Sequence, residues 1–164
     1  LNKNVRMGSL AGQTQKQEVI EQVTKLLAGS QLVYGSLDSV EVVDADATKG
    51  AFISPLLILN DKPFVNTASH DVEAFGPVST IMPYKNDDEA IELSRMGKGS
   101  LVSSIVTADT AVARKYVMGA GAWHGRILVL NQACAKESTG HGSPLPLLVH
   151  GAYLSLNGWW VHLE

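Results

Sequence analysis

A chain of 164 residues that is 45% hydrophobic and 18% charged, with a formal net charge of −3, has the size and balance of one ordinary domain. Such a chain buries its core without disulfides or a structural metal, and the absence of any Lys/Arg run argues against a nucleic-acid partner, because nothing basic would hold a phosphate backbone. One cysteine, Cys134, and five histidines without metal-ligand spacing point to no metal site and to a reducing, cytoplasmic setting.

No stretch has the apolar core of a signal peptide or the length of a membrane span, so no membrane partner is expected. The opening "LNKNVRMGSL" has no initiator Met, which suggests that position 1 lies inside a longer natural chain.

In chain order, "GQTQKQEVIEQVTKLLAG" puts Val19, Ile20, Val23, Leu26 and Leu27 on one stripe and predicts an amphipathic helix ending near Gly29. "LVYGS" reads as a short strand, and "VDADATKGAF" as a polar turn broken at Gly50. "FISPLLIL" reads as a strand in which Pro55 argues for an edge position or an irregularity. In "HDVEAFGPVSTIMPY", Phe75, Gly76 and Pro77 force a sharp turn before an apolar strand.

From Val78 the rhythm is regular. "VSTIMPY" is a strand, "NDDEAIELSRM" a helix with acids in its first turn, "SLVSSIVT" a strand, "DTAVARKYVMGAG" a helix and "RILVLN" a strand. This βαβαβ pattern predicts an α/β fold: a three-layer, open, mainly parallel sheet with helices on both faces and right-handed crossovers. Ligands are expected beyond the carboxyl ends of its strands. The tail "GAYLSLNGWWVHLE" departs from this pattern.

Three candidate sites have plain alternatives. "GAGAWHG" (119–125) follows a helix and precedes a strand, with His124 where a third dinucleotide-loop glycine should stand, so it reads as a glycine-rich helix end. Cys134 has no nearby His and reads as a packing residue. "ESTGHGSPLPLL" (137–148), with Ser138, Thr139, His141 and Ser143, is either a pocket-lining loop or a surface turn.

Glu73 gains interest from its company. A carboxylate accepts two hydroxyl hydrogen bonds at once and suits a ribose diol, while the Phe75 ring offers a flat face to a heteroaromatic base.

The E-x-F-G-P stretch formed by Glu73, Phe75, Gly76 and Pro77, ahead of a βαβαβ run, resembles the aldehyde dehydrogenase superfamily. There this Glu binds the nicotinamide ribose and the Phe lies beside the nicotinamide. "MGSL" with its helix, "GAFISPLLI", "GSLVSSIVTAD" and "HGRILVLN" occur in the family's order, so the similarity covers about residues 4 to 151. "AFGPVST" with "ESTGHGSPLPLLVHG" is similar to the phenylacetic acid degradation enzymes (PaaN/PaaZ type), and to the semialdehyde dehydrogenases of aerobic benzoyl-CoA degradation.

The resemblance implies a partial catalytic domain over 1–151 and a tail, 152–164, outside the family pattern. Glu73 and Phe75 would bind NADP or NAD, and Asn131, Ser138, His141 and Ser143 would lie on the substrate-pocket loop. The implied substrate is a small aldehyde, a CoA-linked semialdehyde, oxidised to its acid by a homo-oligomer in aromatic degradation. In the family the catalytic Cys, the general-base Glu and the dinucleotide-binding domain precede the position of Leu1, and Cys134 does not match that nucleophile. No catalytic residue is therefore expected here, and the chain alone should be inactive. The competing expectation is a non-catalytic α/β interaction or assembly domain derived from the same fold.

Overall fold

The structure, a computed structural model, describes Val5, residues 7–132 and the backbone of residues 148–150. Cys134, Ser138, Thr139, His141, Ser143 and the tail 152–164 lie outside the described residues.

The elements are α1 (Gln13–Leu26), β1 (Gln31–Tyr34), β2 (Leu56–Leu59), α2 (Ala68–Asp71), β3 (Val78–Ile81), α3 (Asp87–Met96), β4 (Ser100–Val106), α4 (Thr110–Ala120), β5 (His124–Leu130) and β6 (Leu148–His150). The α/β class expected from the sequence is the one observed. Hydrogen bonding divides the strands into two ladders, β1-β2-β3 and β4-β5-β6. Each has a parallel pair, β2/β3 or β4/β5, and an antiparallel edge, β1 or β6. The crossover expected through α4 is present between β4 and β5, whereas β3 pairs with β2.

Pro55 does not mark an edge strand, because β2 is the central strand of its ladder. The proline precedes the first paired residue, Leu56, so its missing N–H removes no ladder bond. The irregularity is nonetheless present, as a register shift in the β1/β2 pairing between Leu32 and Tyr34.

Two apolar clusters hold the elements. Val19, Val23 and Leu26 of α1 pack on Ile53, Leu56 and Ile58. This is the stripe that the helical spacing predicts, and each fully buried aliphatic side chain contributes about 1.5–3 kcal/mol. Ile91 of α3, Tyr116 and Ala120 of α4, and Ile127 of β5 form the second cluster.

The helix ends follow the local sequence. Asn86 accepts from the amides of Asp88 and Glu89 at 3.1 and 3.0 Å, and Asp109 from that of Ala111 at 2.7 Å. Asp87, Asp88 and Glu89 also suit the positive end of the α3 dipole. Gly119 lets α3 and α4 approach, since a Cβ there would come within 2.9 Å of Ile91 Cγ2. "GAGAWHG" is the helix end that its glycines indicate: α4 closes into a 3-10 turn at Gly121–Trp123, and β5 starts at His124.

Candidate functional site

Glu73 and Phe75 sit on the connection that enters β3, and a polar network fixes that connection from its start. Asn60, fully buried just beyond β2, extends the ladder by donating its main-chain N–H to the Ile81 carbonyl at 2.9 Å. Its side chain donates to the Asn66 carbonyl at 2.8 Å and to Ser69 Oγ at 3.2 Å, and accepts from the Lys62 amide at 3.2 Å. Such an amide satisfies a buried loop where an apolar side chain would leave its polar groups unpaired.

His70, also buried, donates from Nε2 to the Pro63 carbonyl at 3.2 Å, and burial pushes its pKa down. Asp71 pairs with Lys98 at 2.8 Å on the surface. The hydrogen bond from Lys98 holds the Asp71 carboxyl below its ordinary range.

The turn itself is gripped from α1. Gln15 Nε2 donates to the Phe75 carbonyl at 2.9 Å. At Gly76 a Cβ would come within 2.9 Å of Val19 Cγ2, so glycine is what allows the turn to lie against the helix. The Gly76 amide donates to the Ala74 carbonyl and the Val78 amide to the Gly76 carbonyl, both at 2.8 Å. Leu56 then donates to the Pro77 carbonyl at 2.8 Å and opens the parallel ladder.

The Phe75 backbone is therefore held while its ring stays 60% exposed. An exposed aromatic on a fixed backbone is a surface prepared to stack. Glu73 is half-buried and burial pushes its carboxyl pKa up. No hydrogen bond or ion pair joins its carboxylate to another described residue. It is an acceptor pair without a donor among the described residues.

Glu73 and Phe75 lie at the amino end of β3, not beyond a carboxyl end. Asn131 meets that rule: it follows β5, is exposed, and stands where the Thr107 amide bonds the Leu130 carbonyl at 2.9 Å. The two groups belong to different ladders. Beyond the carboxyl end of β4, Tyr84, Asp87, Ser104, Thr107, Asp109 and Tyr116 line a cavity of about 180 Å³. No sequence motif signals it, because its walls come from three separate elements.

Among the described residues no His/Cys/Asp/Glu group could hold a metal, and no helix is long and apolar enough to cross a membrane.

The chain belongs to the aldehyde dehydrogenase family, whose model matches residues 1–136. Among individual relatives, Protein MaoC from Klebsiella aerogenes is 46% identical over 147 residues, covering 88% of this chain and 42% of that protein. The 3,4-dehydroadipyl-CoA semialdehyde dehydrogenase of Aromatoleum evansii is 38% identical over 150 residues, covering 92% of this chain and 29% of that enzyme. The crystal structure of succinic semialdehyde dehydrogenase from Streptococcus pyogenes in complex with NADP+ shares the fold at TM-score 0.62 and 23% identity, over 79% of this chain and 26% of that one. The chain thus spans less than half the length of these relatives.

Proposed function

We propose that this chain supplies the nicotinamide-side and pocket-side walls of an NAD(P)-dependent aldehyde dehydrogenase that oxidises a CoA-linked semialdehyde to its acid in aromatic, phenylacetate-type degradation. The observation that carries this reading is the turn before β3, where a half-buried carboxylate with no partner among the described residues and an exposed ring stand two residues apart on a fixed backbone. Those residues fit a nicotinamide riboside. The Glu73 carboxylate accepts two ribose hydroxyls, and the Phe75 ring offers its face to the base. When bound, the nicotinamide accepts the hydride that leaves the oxidised carbon.

The choice of a CoA-linked semialdehyde draws on the 38% identity to 3,4-dehydroadipyl-CoA semialdehyde dehydrogenase. In this reading Asn131, Ser138, His141 and Ser143 belong to the substrate-pocket loop, residues 1–151 are part of the catalytic domain, and 152–164 depart from it. The reading further places the enzyme in the cytoplasm as a homo-oligomer, in keeping with the lone cysteine and with Val33 and Tyr34 exposed on edge strand β1.

The test uses the complete protein that carries this segment. CoA-linked and free semialdehydes are compared with NAD and NADP as oxidants, following NAD(P)H formation. Turnover selective for the CoA-linked aldehyde is expected. Failure of every aldehyde to yield NAD(P)H overturns the reading.

A further inference from the structure

The side chain of Gln15 uses both halves of its amide. Oε1 accepts the Ala11 amide at 3.0 Å, ahead of α1, while Nε2 donates to the Phe75 carbonyl at 2.9 Å, sixty positions further along the chain. One helical turn on, Val19 abuts Gly76. Residues i and i+4 share a helix face, so Gln15 and Val19 grip consecutive residues of one turn, the first by a hydrogen bond and the second by contact.

Few side chains can do what Gln15 does. A glutamate keeps the acceptor for Ala11 but has no proton for Phe75, and an asparagine is one methylene too short to span both partners. The Gly76 and Val78 amide bonds lock the turn internally, but among the described residues the bond from Gln15 is what ties the Phe75 carbonyl to the body of the fold.

We propose that Gln15 is a positioning residue for the nicotinamide-side wall: its amide sets the backbone of Phe75 and so the directions in which the Phe75 ring and the Glu73 carboxylate face the cofactor. The inference rests on the function proposed above. Gln15 acts through Phe75, so its removal loosens the turn before any cofactor is present.

Gln15→Glu tests this role apart from capping: it keeps an acceptor for the Ala11 amide and puts a carboxylate oxygen, which repels the Phe75 carbonyl, where the donor stood. In the complete protein without cofactor, amide hydrogen exchange over residues 73–78 is expected to rise about tenfold, with exchange in α1 and the melting temperature unchanged. With cofactor and aldehyde, single-turnover hydride transfer is expected to fall about tenfold, as misplacement of reacting groups does. If Gln15→Glu lowers the melting temperature, Gln15→Asn, which keeps an amide but cannot reach Phe75, carries the same exchange test.

Unchanged exchange over 73–78 overturns the proposal. So does unchanged hydride transfer in Gln15→Glu where Glu73→Gln slows it, and the wall then stands without its clamp. If Glu73→Gln and Phe75→Ala both leave transfer unchanged in folded protein, the functional reading fails instead, while the exchange result still decides whether Gln15 holds the turn.

Discussion

His124 Nδ1 lies 2.5 Å from Ser100 Oγ across the parallel β4/β5 pair. Ser100 gives its one proton to the Val102 carbonyl at 3.0 Å, so His124 donates from Nδ1 and is left with a bare Nε2. That nitrogen is buried without a partner among the described residues, and the ring stacks on Tyr116 at 6.5 Å.

This arrangement predicts an acid-sensitive fold. Burial pushes the pKa of His124 below its ordinary value of 6.5, and His70 shifts the same way for the same reason. The unfolded chain therefore binds protons that the folded one refuses. Stability from both rings is complete above pH 6.5 and declines as pH falls below it, until the lowered folded-state values are passed. Melting temperatures from pH 8 to 5 check this. His124→Gln should flatten the profile, since glutamine can donate to Ser100 and does not titrate; a variant as acid-sensitive as the parent would contradict the assignment.

Glu73→Gln in the complete protein should impair cofactor use more than folding. Charge-assisted hydrogen bonds to ribose hydroxyls contribute about 1.5–3 kcal/mol, a loss of roughly tenfold to a hundredfold shared between affinity and rate. Cofactor titration and single-turnover NAD(P)H formation, run beside thermal melting, measure the split. A folded variant with both quantities intact would leave Glu73 a surface turn residue.

Gly76→Ala should be costly because Val19 cannot retreat. The new Cβ would lie 2.9 Å from Cγ2 and 3.0 Å from Cγ1 of a β-branched residue with little rotamer freedom in a helix. A loss of about 1–3 kcal/mol is expected from the overpacking. Denaturant melts of Gly76→Ala, Val19→Ala and the double variant check the cause: the double variant should be more stable than the sum of the single losses predicts. Strict additivity would place the strain elsewhere.

The 164-residue chain expressed alone should self-associate and produce no NAD(P)H. Val33 and Tyr34 of β1, the edge strand of its ladder among the described residues, are 44% and 66% exposed, and strand edges of this kind drive association. Its one thiol is Cys134, which the sequence reads as a packing residue rather than a nucleophile. Light scattering over a wide concentration range and an aldehyde assay with both cofactors test the two halves separately. A sharp monomer mass contradicts the first, and steady turnover that survives Cys134→Ala contradicts the second.

Much of this molecule is visible in its local patterns. The stripe from Val19 to Leu26 both forms α1 and seals the first core, and the acids after Asn86 mark the start of α3 as surely as its cap does. The turn ahead of β3 is announced locally by Pro77, whose restriction of φ is a property of the residue itself, whereas the need for glycine at 76 comes from the approach of Val19. Helix α2 and the central place of β2 are not visible in this way. Four residues show no periodicity, and a proline beside a strand says nothing about which neighbours the strand will find.

The sequence by itself determined the α/β alternation, the caps and the identity of Glu73 and Phe75 as a carboxylate and a ring at one turn, since each depends on residues close together in the chain. Only the tertiary structure decided that β3 pairs with β2, that Asn60 locks the loop between them, and that Gln15, one of several polar residues on α1, holds Phe75 sixty positions away. Those are contacts between distant segments. Side-chain periodicity reports which face of an element is buried, but the partner that covers it, and the donor that reaches a given carbonyl, are settled when the chain closes its loops and every buried polar group must find a bond.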